Sequence, residues 1–177
     1  MKGGLADCIQ GSGANQQNLR TFCDESSVDI IPIGFINVFP DRGNGLIGEN
    51  FGNKCWGDAF YSGPGNNPSE NQLPTRCPTV QDDIPYCQKV KNKKILLSLG
   101  GASATYALTG VEDGIALADF LWGSYGPLTP EWQAAGGIRP LDRSSSNTDS
   151  SAYYQLDIDG FDFDIEYPSA GKLDPDQ

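Results

Sequence analysis

The chain has 177 residues, 38% of them hydrophobic and 20% charged, which is the size and composition of one ordinary globular domain. Its formal net charge of −11 repels phosphate backbones and anionic membrane surfaces, so we expect neither a nucleic acid nor a membrane as partner. It contains no histidine, which excludes Ser-His-Asp and Cys-His catalysis and most catalytic zinc sites, so carboxylates must carry any acid–base chemistry.

The first half of the chain predicts a helix, a buried strand and a long loop. Residues 14–25 are compatible with a helix. The run Val28–Phe39 is β-branched and too apolar for a surface strand, which is typical of a buried parallel strand. Residues 40–78 are rich in Gly, Asn and Pro and show no periodicity, so we expect a loop, and loops of this length are usually functional.

The second half alternates helices and strands. In chain order the predicted elements are a helix at 79–92, a strand at 94–101 that ends in two glycines, a helix at 114–125, a polar loop at 144–151 and a strand at 160–166. In the second helix the residues expected to share an apolar face are Ile115, Leu117, Ala118, Leu121 and Trp122. This order predicts an α/β fold with right-handed βαβ crossovers.

The last strand carries a row of acids. A period of two places Asp162, Asp164 and Glu166 on one face and three apolar side chains on the other. Successive acids are about 6.6 Å apart along a strand. If the strand is central in a sheet, crowding and burial favour a bound proton on the row, which a general acid requires.

Two other interpretations of this strand exist. An exposed edge strand could carry acids merely to prevent aggregation. A calcium loop of the EF-hand type is the second alternative. Its positions would be filled by Gln155, Asp157, Asp159, Gly160 and Glu166. Gln155 stands where an acid is needed and Pro168 would interrupt the following helix, so calcium is the weaker interpretation and we expect no metal.

The acids of Asp159–Glu166 resemble the signature of family 18 glycosidases, and Leu97–Gly101 resembles the strand 3 motif of that family. Together with Gly34–Phe39, their order and spacing look most like the class III chitinases of plants and fungi. The resemblance runs from about Ala14 to Pro168.

The resemblance implies a partial TIM (β/α)8 barrel in which these three segments are strands 2, 3 and 4. Residues 1–13 are an unmatched N-terminal segment, and residues 14–177 would form the N-terminal half of the catalytic barrel. The family's first strand is not recognisable before Ala14, and strands 5 to 8 would be absent. Since those strands carry a tyrosine and a tryptophan of the family's site, we expect the chain alone to be weakly stable and nearly inactive.

The implied reaction is hydrolysis of β-1,4 N-acetylglucosamine linkages in chitin, with retention and without a cofactor. By the motif match, Glu166 protonates the glycosidic oxygen while the 2-acetamido oxygen of the substrate attacks the anomeric carbon. Asp164 would orient the acetamido group, Asp162 would tune Asp164, and Asp159 would be structural. An alternative is a carbohydrate-binding protein on the same scaffold that has lost catalysis.

Other features follow from the same resemblance. Gly100 and Gly101 would let the sugar approach the backbone, Asn50 would be a substrate contact, and the Gly34–Phe35 peptide bond would be cis. The implied partner is chitin or its oligosaccharides, bound by a monomer.

Five cysteines lack any CxxC pair, which favours disulfides over structural zinc, although four cysteines permit three pairings. The resemblance implies the bridges Cys23–Cys87 and Cys55–Cys77 and leaves Cys8 without a counterpart. It also implies an extracellular protein. The first residues show no apolar signal-peptide region, so we expect the true start to lie upstream.

Overall fold

The computed structural model describes residues 17–39, 47–49, 51, 59–61, 79–102, 108–142 and 155–166. The predicted substrate contact Asn50, the predicted bridge Cys55–Cys77, and Cys8 lie outside these ranges. The described elements, in chain order, are α1 (Leu19–Glu25), β1 (Ile30–Val38), β2 (Ile47–Glu49), β3 (Ala59–Tyr61), α2 (Val80–Lys89), β4 (Lys94–Gly101), α3 (Val111–Tyr125), α4 (Pro130–Ala134) and β5 (Gly160–Ile165).

The strands form one mixed sheet in the order β3-β2-β1-β4-β5. β1, β4 and β5 are parallel, with α2 between the first two and α3 and α4 between the second two. This arrangement confirms the α/β class, because each parallel connection crosses over through helical chain.

The loop predicted at 40–78 contains two short strands, so that prediction is wrong at 47–49 and 59–61. β2 pairs antiparallel with the end of β1, through Ile36↔Glu49 and Val38↔Gly48, and β3 pairs antiparallel with β2. Three residues are too few for an alternating pattern to show in the sequence.

The core lies where β1 and β4 meet the helices. In β1, Ile31 and Ile33 are almost fully buried, and in β4, Ile95, Leu97 and Leu99 have no exposed surface. Both strands are paired along both edges for part of their length, which explains why their sequences are so apolar.

Helices α1 and α2 are joined covalently. Cys23 and Cys87 form a disulfide with 5.7 Å between their Cα atoms, which is the pairing that the resemblance implied. Tyr86 on α2 donates a hydrogen bond to Asp24 at 2.7 Å, and the guanidinium of Arg20 lies 3.9 Å from the centre of the Tyr86 ring. The two helices therefore form one unit beside the sheet.

The predicted apolar face of α3 is partly wrong. Leu117 and Leu121 are buried, together with Phe120, whereas Ile115 and Trp122 are more than half exposed and Ala118 is also exposed. The buried face is thus rotated away from the predicted one, toward Phe120.

Candidate active site

The acidic row is set by the in-register pairing of β4 with β5. Ser98 pairs with Asp162 and Gly100 pairs with Asp164. The Ser98 hydroxyl donates a 2.7 Å hydrogen bond to Asp162 Oδ2. Ser98 is buried and Asp162 is half-buried. Since parallel strands end at the same edge of a sheet, the two acids and the two glycines of β4 lie together at the carboxyl end.

A pocket opens at this end of the sheet. Its lining residues are Pro32, Gly34, Phe35, Ser98, Asp162, Phe163 and Asp164. The pocket therefore draws on β1, β4 and β5 together. Phe35 and Ser98 were not singled out as site residues from the sequence, although both lie within the motif segments.

The two glycines at the end of β4 are required by protein contacts. Gly100 has φ +113°, and a Cβ there would collide with the Asp164 carbonyl. Gly101 has φ +77°, and a Cβ there would lie 3.1 Å from the Phe35 ring. The prediction that these glycines make room for a sugar gains no direct support, because the space beside them is taken by Asp164 and Phe35. The Gly34–Phe35 peptide bond is cis, as the resemblance implied.

The condition of a central strand is not met in the described sheet, where the acids lie on an edge strand. β5 is the outermost strand, and two of the three apolar side chains on the face opposite the acids are exposed, Phe163 at 72% and Ile165 at 53%. The third, Phe161, is partly buried against the core. Asp162 and Asp164 are half-buried, and Glu166 is exposed just after the strand ends. The described residues alone therefore do not enclose the acidic row.

Asp159 anchors the beginning of β5 to β4. Its carboxylate accepts hydrogen bonds of 2.9 Å from the Ile95 amide, Lys94 Nζ and Gln88 Nε2, and its own amide donates to the Ile95 carbonyl. Burial by itself raises the pKa of Asp159, but these hydrogen bonds outweigh it and hold the pKa below its usual value.

The same contacts argue against the calcium loop. Asp157 Oδ1 accepts hydrogen bonds from Arg139 and Gln155, and Asp159 accepts from Lys94. Carboxylates already neutralised by an arginine and a lysine are poorly arranged to bind Ca²⁺. Within the described ranges no three acid, cysteine or histidine side chains gather as a metal site would require.

Among the described residues, every helix is too short or too polar to cross a bilayer.

Comparisons with known proteins agree with the motifs. No family model matches the chain. Endochitinase A of Emericella nidulans is 44% identical over 159 residues, which are 89% of this chain and 15% of that protein. Endochitinase 2 of Coccidioides posadasii is 43% identical over 159 residues, 88% of this chain and 16% of that protein. The chain thus spans about one-sixth of the length of these relatives.

Two solved structures share the fold. The ICChI chitinase of Ipomoea carnea superposes with a TM-score of 0.56 at 29% identity, over 85% of this chain and 42% of that one. The xylanase and alpha-amylase inhibitor protein XAIP-II of Scadoxus multiflorus superposes with a TM-score of 0.53 at 23% identity, over 88% and 43%. The described part of the chain therefore has an α/β fold like that of these two proteins. The chain is similar in sequence to fungal endochitinases over most of its own length, which confirms the resemblance carried by its motifs.

Proposed function

We propose that this chain is part of a retaining chitinase, with β1, β4 and β5 as strands 2, 3 and 4 of a TIM barrel. The observation that carries the proposal is the pairing of β4 with β5, which sets the acidic row beside Gly100 and Gly101 at the carboxyl ends of parallel strands. That edge is where the sites of such barrels lie. The endochitinase relatives supply the substrate class.

The chemistry assigned to the row is substrate-assisted. Glu166 donates a proton to the glycosidic oxygen as that bond breaks, and the 2-acetamido oxygen of the substrate attacks the anomeric carbon from the other side. Asp164 orients the acetamido group, and Asp162 acts on Asp164 from the buried end of the row, where Ser98 holds it. Water then opens the oxazolinium intermediate with Glu166 as general base, which gives retention.

The setting of the proposed enzyme is the one that its resemblance to chitinases implies. The partner is chitin or chitooligosaccharide, bound by a monomer without a cofactor. The Cys23–Cys87 disulfide supports an oxidising, extracellular location.

The 177-residue chain by itself is expected to cleave chitin oligomers at most slowly. In the described structure the acidic row lies on the outermost strand with Glu166 exposed, so water is not excluded from the reacting bond. The measurement is product release from a chitin oligomer by purified chain. A turnover typical of an intact enzyme, of about 1 s⁻¹ or more, would contradict this expectation.

The catalytic assignment is tested in a chimera. Residues 17–166 replace the segment of the Emericella nidulans endochitinase that aligns with them, and the rest of that protein is kept. Glu166→Gln keeps the size of the side chain but removes its acid, so we expect kcat to fall about 100- to 10,000-fold. Circular dichroism and the melting temperature confirm that each chimera is folded.

The matched control is Glu112→Gln, an exposed glutamate in the first turn of α3, which should leave kcat unchanged. A folded chimera whose hydrolysis survives Glu166→Gln contradicts the assignment. A folded chimera that binds chitin oligomers without cleaving them favours the carbohydrate-binding alternative, because one fold can support both roles.

A further inference from the structure

We propose that Arg139 is a positioning residue for the acidic row, because it holds the backbone that leads into β5. Its consequence for catalysis rests on the proposed chitinase function, whereas its effect on β5 does not. Nothing in the sequence pattern pointed to Arg139, which lies outside every predicted helix and strand.

The guanidinium of Arg139 uses all five of its N–H donors. Nε donates to Asp142 Oδ2 at 2.8 Å. Nη1 donates to the carbonyls of Gly123 and Gly126. Nη2 donates to the Leu156 carbonyl at 3.0 Å and to Asp157 Oδ1 at 2.7 Å. The side chain is only 3% exposed, so these bonds are shielded from water and are strengthened by the charge.

These bonds join three parts of the chain. Gly123 and Gly126 lie at the end of α3, and Asp142 lies in the segment that follows α4. Leu156 and Asp157 lie directly before β5. The Arg139 side chain therefore links the crossover helix to the strand that the crossover delivers.

Leu156 is held through both of its backbone groups. Its carbonyl accepts from Arg139, and its amide donates to Asp142 Oδ1 at 2.8 Å. Two residues later, the Ile158 amide donates to the Tyr125 carbonyl at the end of α3. The backbone of residues 156–158 is thus held in place just N-terminal to Gly160, where the pairing of β5 with β4 begins at Leu96↔Gly160.

Fixing this approach matters because side chains alternate along a strand. A shift of one residue in the β4–β5 pairing would move the acids to the opposite face, and a shift of two would displace each by about 6.6 Å. In the described sheet β5 pairs with β4 alone, so a second strand does not hold the pairing. The Arg139 contacts supply an additional restraint at the strand's entrance.

Hydrogen exchange on the 177-residue chain tests the restraint without any substrate. Arg139→Lys keeps the charge but loses the planar array of five donors. We expect amides of β5 and of residues 156–159 to exchange about tenfold faster, while the amides of β1 keep their protection. The matched control is Arg20→Lys on α1, which pairs with Asp83 and should leave β5 unchanged.

Unchanged exchange in β5 would overturn the proposal. An equal acceleration in β1 and β5 would also overturn it, because it would show that Arg139 contributes only to global stability. If Arg139→Lys does not fold, Asp157→Asn removes one charged acceptor and leaves the carbonyl contacts of Arg139 in place. The same local acceleration in smaller degree is then expected, and its absence counts against the proposal.

The catalytic consequence is measured in the chimera described above. Arg139→Lys should lower kcat about tenfold with a smaller change in KM, because displaced acids affect the transition state more than ground-state binding. Arg20→Lys should leave both constants unchanged. A change in KM alone would overturn the catalytic part. If the proposed function is wrong, Glu166→Gln has no effect on kcat in the chimera. The hydrogen-exchange result for β5 does not depend on that outcome.

Discussion

Asp159 and Asp162 are three residues apart, yet their carboxylates have different surroundings. The Asp159 carboxylate accepts hydrogen bonds from a backbone amide, a lysine ammonium and a glutamine side-chain amide. Asp162 receives the hydroxyl of Ser98 and faces the pocket. The charged form of Asp159 therefore helps to attach β5 to β4, whereas Asp162 lines the pocket.

The lowered pKa of Asp159 has a consequence for stability. A carboxylate whose folded pKa lies below its unfolded value of about 3.8 stabilises the fold above that value, and this stabilisation is lost as the pH falls through the folded pKa. We expect Asp159→Asn to lower the free energy of unfolding by about 2 kcal/mol at neutral pH, and by less in strong acid. Urea unfolding at about pH 7 and about pH 2.5 measures both values.

Asp83→Asn is the control for this measurement. Burial raises the pKa of Asp83, so its contribution to stability is present below the unfolded pKa and lost as the pH rises. The pH dependence of this variant should therefore change in the opposite direction. An equal loss for Asp159→Asn at both pH values would contradict the role assigned to its charge.

At the scale of elements, the long periodic segments could be predicted and the short ones could not. The strand Lys94–Gly101 has the predicted bounds, and β1 and β5 differ from prediction by one or two residues. β2 and β3 have three residues each, which is too short for a pattern. Helix α4 was missed although Thr129 caps it, with Trp132 donating to the Thr129 hydroxyl, and Pro130 occupies its first turn, so its start signal was present.

The sequence predicted which acids share a face of the last strand, but not the side chains and strands that surround them. The spacing of the acids fixed their common face, because alternation is a local property of a strand. The position of β5 at the edge, the Ser98 hydrogen bond and the Arg139 contacts depend on pairing between distant segments, which one sequence does not encode in its spacing.

The α1–α2 unit makes a prediction at the scale of elements. The Cys23–Cys87 disulfide closes a loop with a sequence separation of 64 residues. Replacing both cysteines by serine should lower the free energy of unfolding by about 2 to 4 kcal/mol, since the unfolded chain regains the freedom that the bridge removes. The measurement is the urea midpoint under oxidising conditions. A midpoint equal to that of the unaltered chain would show that the bridge contributes nothing.

At the scale of the whole molecule, the net charge of −11 repels the phosphate backbone of nucleic acids. We expect no retardation of duplex DNA by the chain at about 50 mM salt, where electrostatic attraction is strongest. An electrophoretic mobility-shift assay measures this, with a basic DNA-binding protein as positive control. A shift that weakens steeply with added salt would show a positively charged face that the composition does not predict.

The hairpin of β2 and β3 also limits how this sheet can grow. β2 pairs with β1 only at Ile36 and Val38, near the end where the site lies. An additional strand parallel to β1 on that same edge could pair only with Ile30 to Phe35, which is about 20 Å of extended backbone. A strand that extends the sheet at this edge would therefore pair with the N-terminal part of β1 and would be shorter than β1 itself.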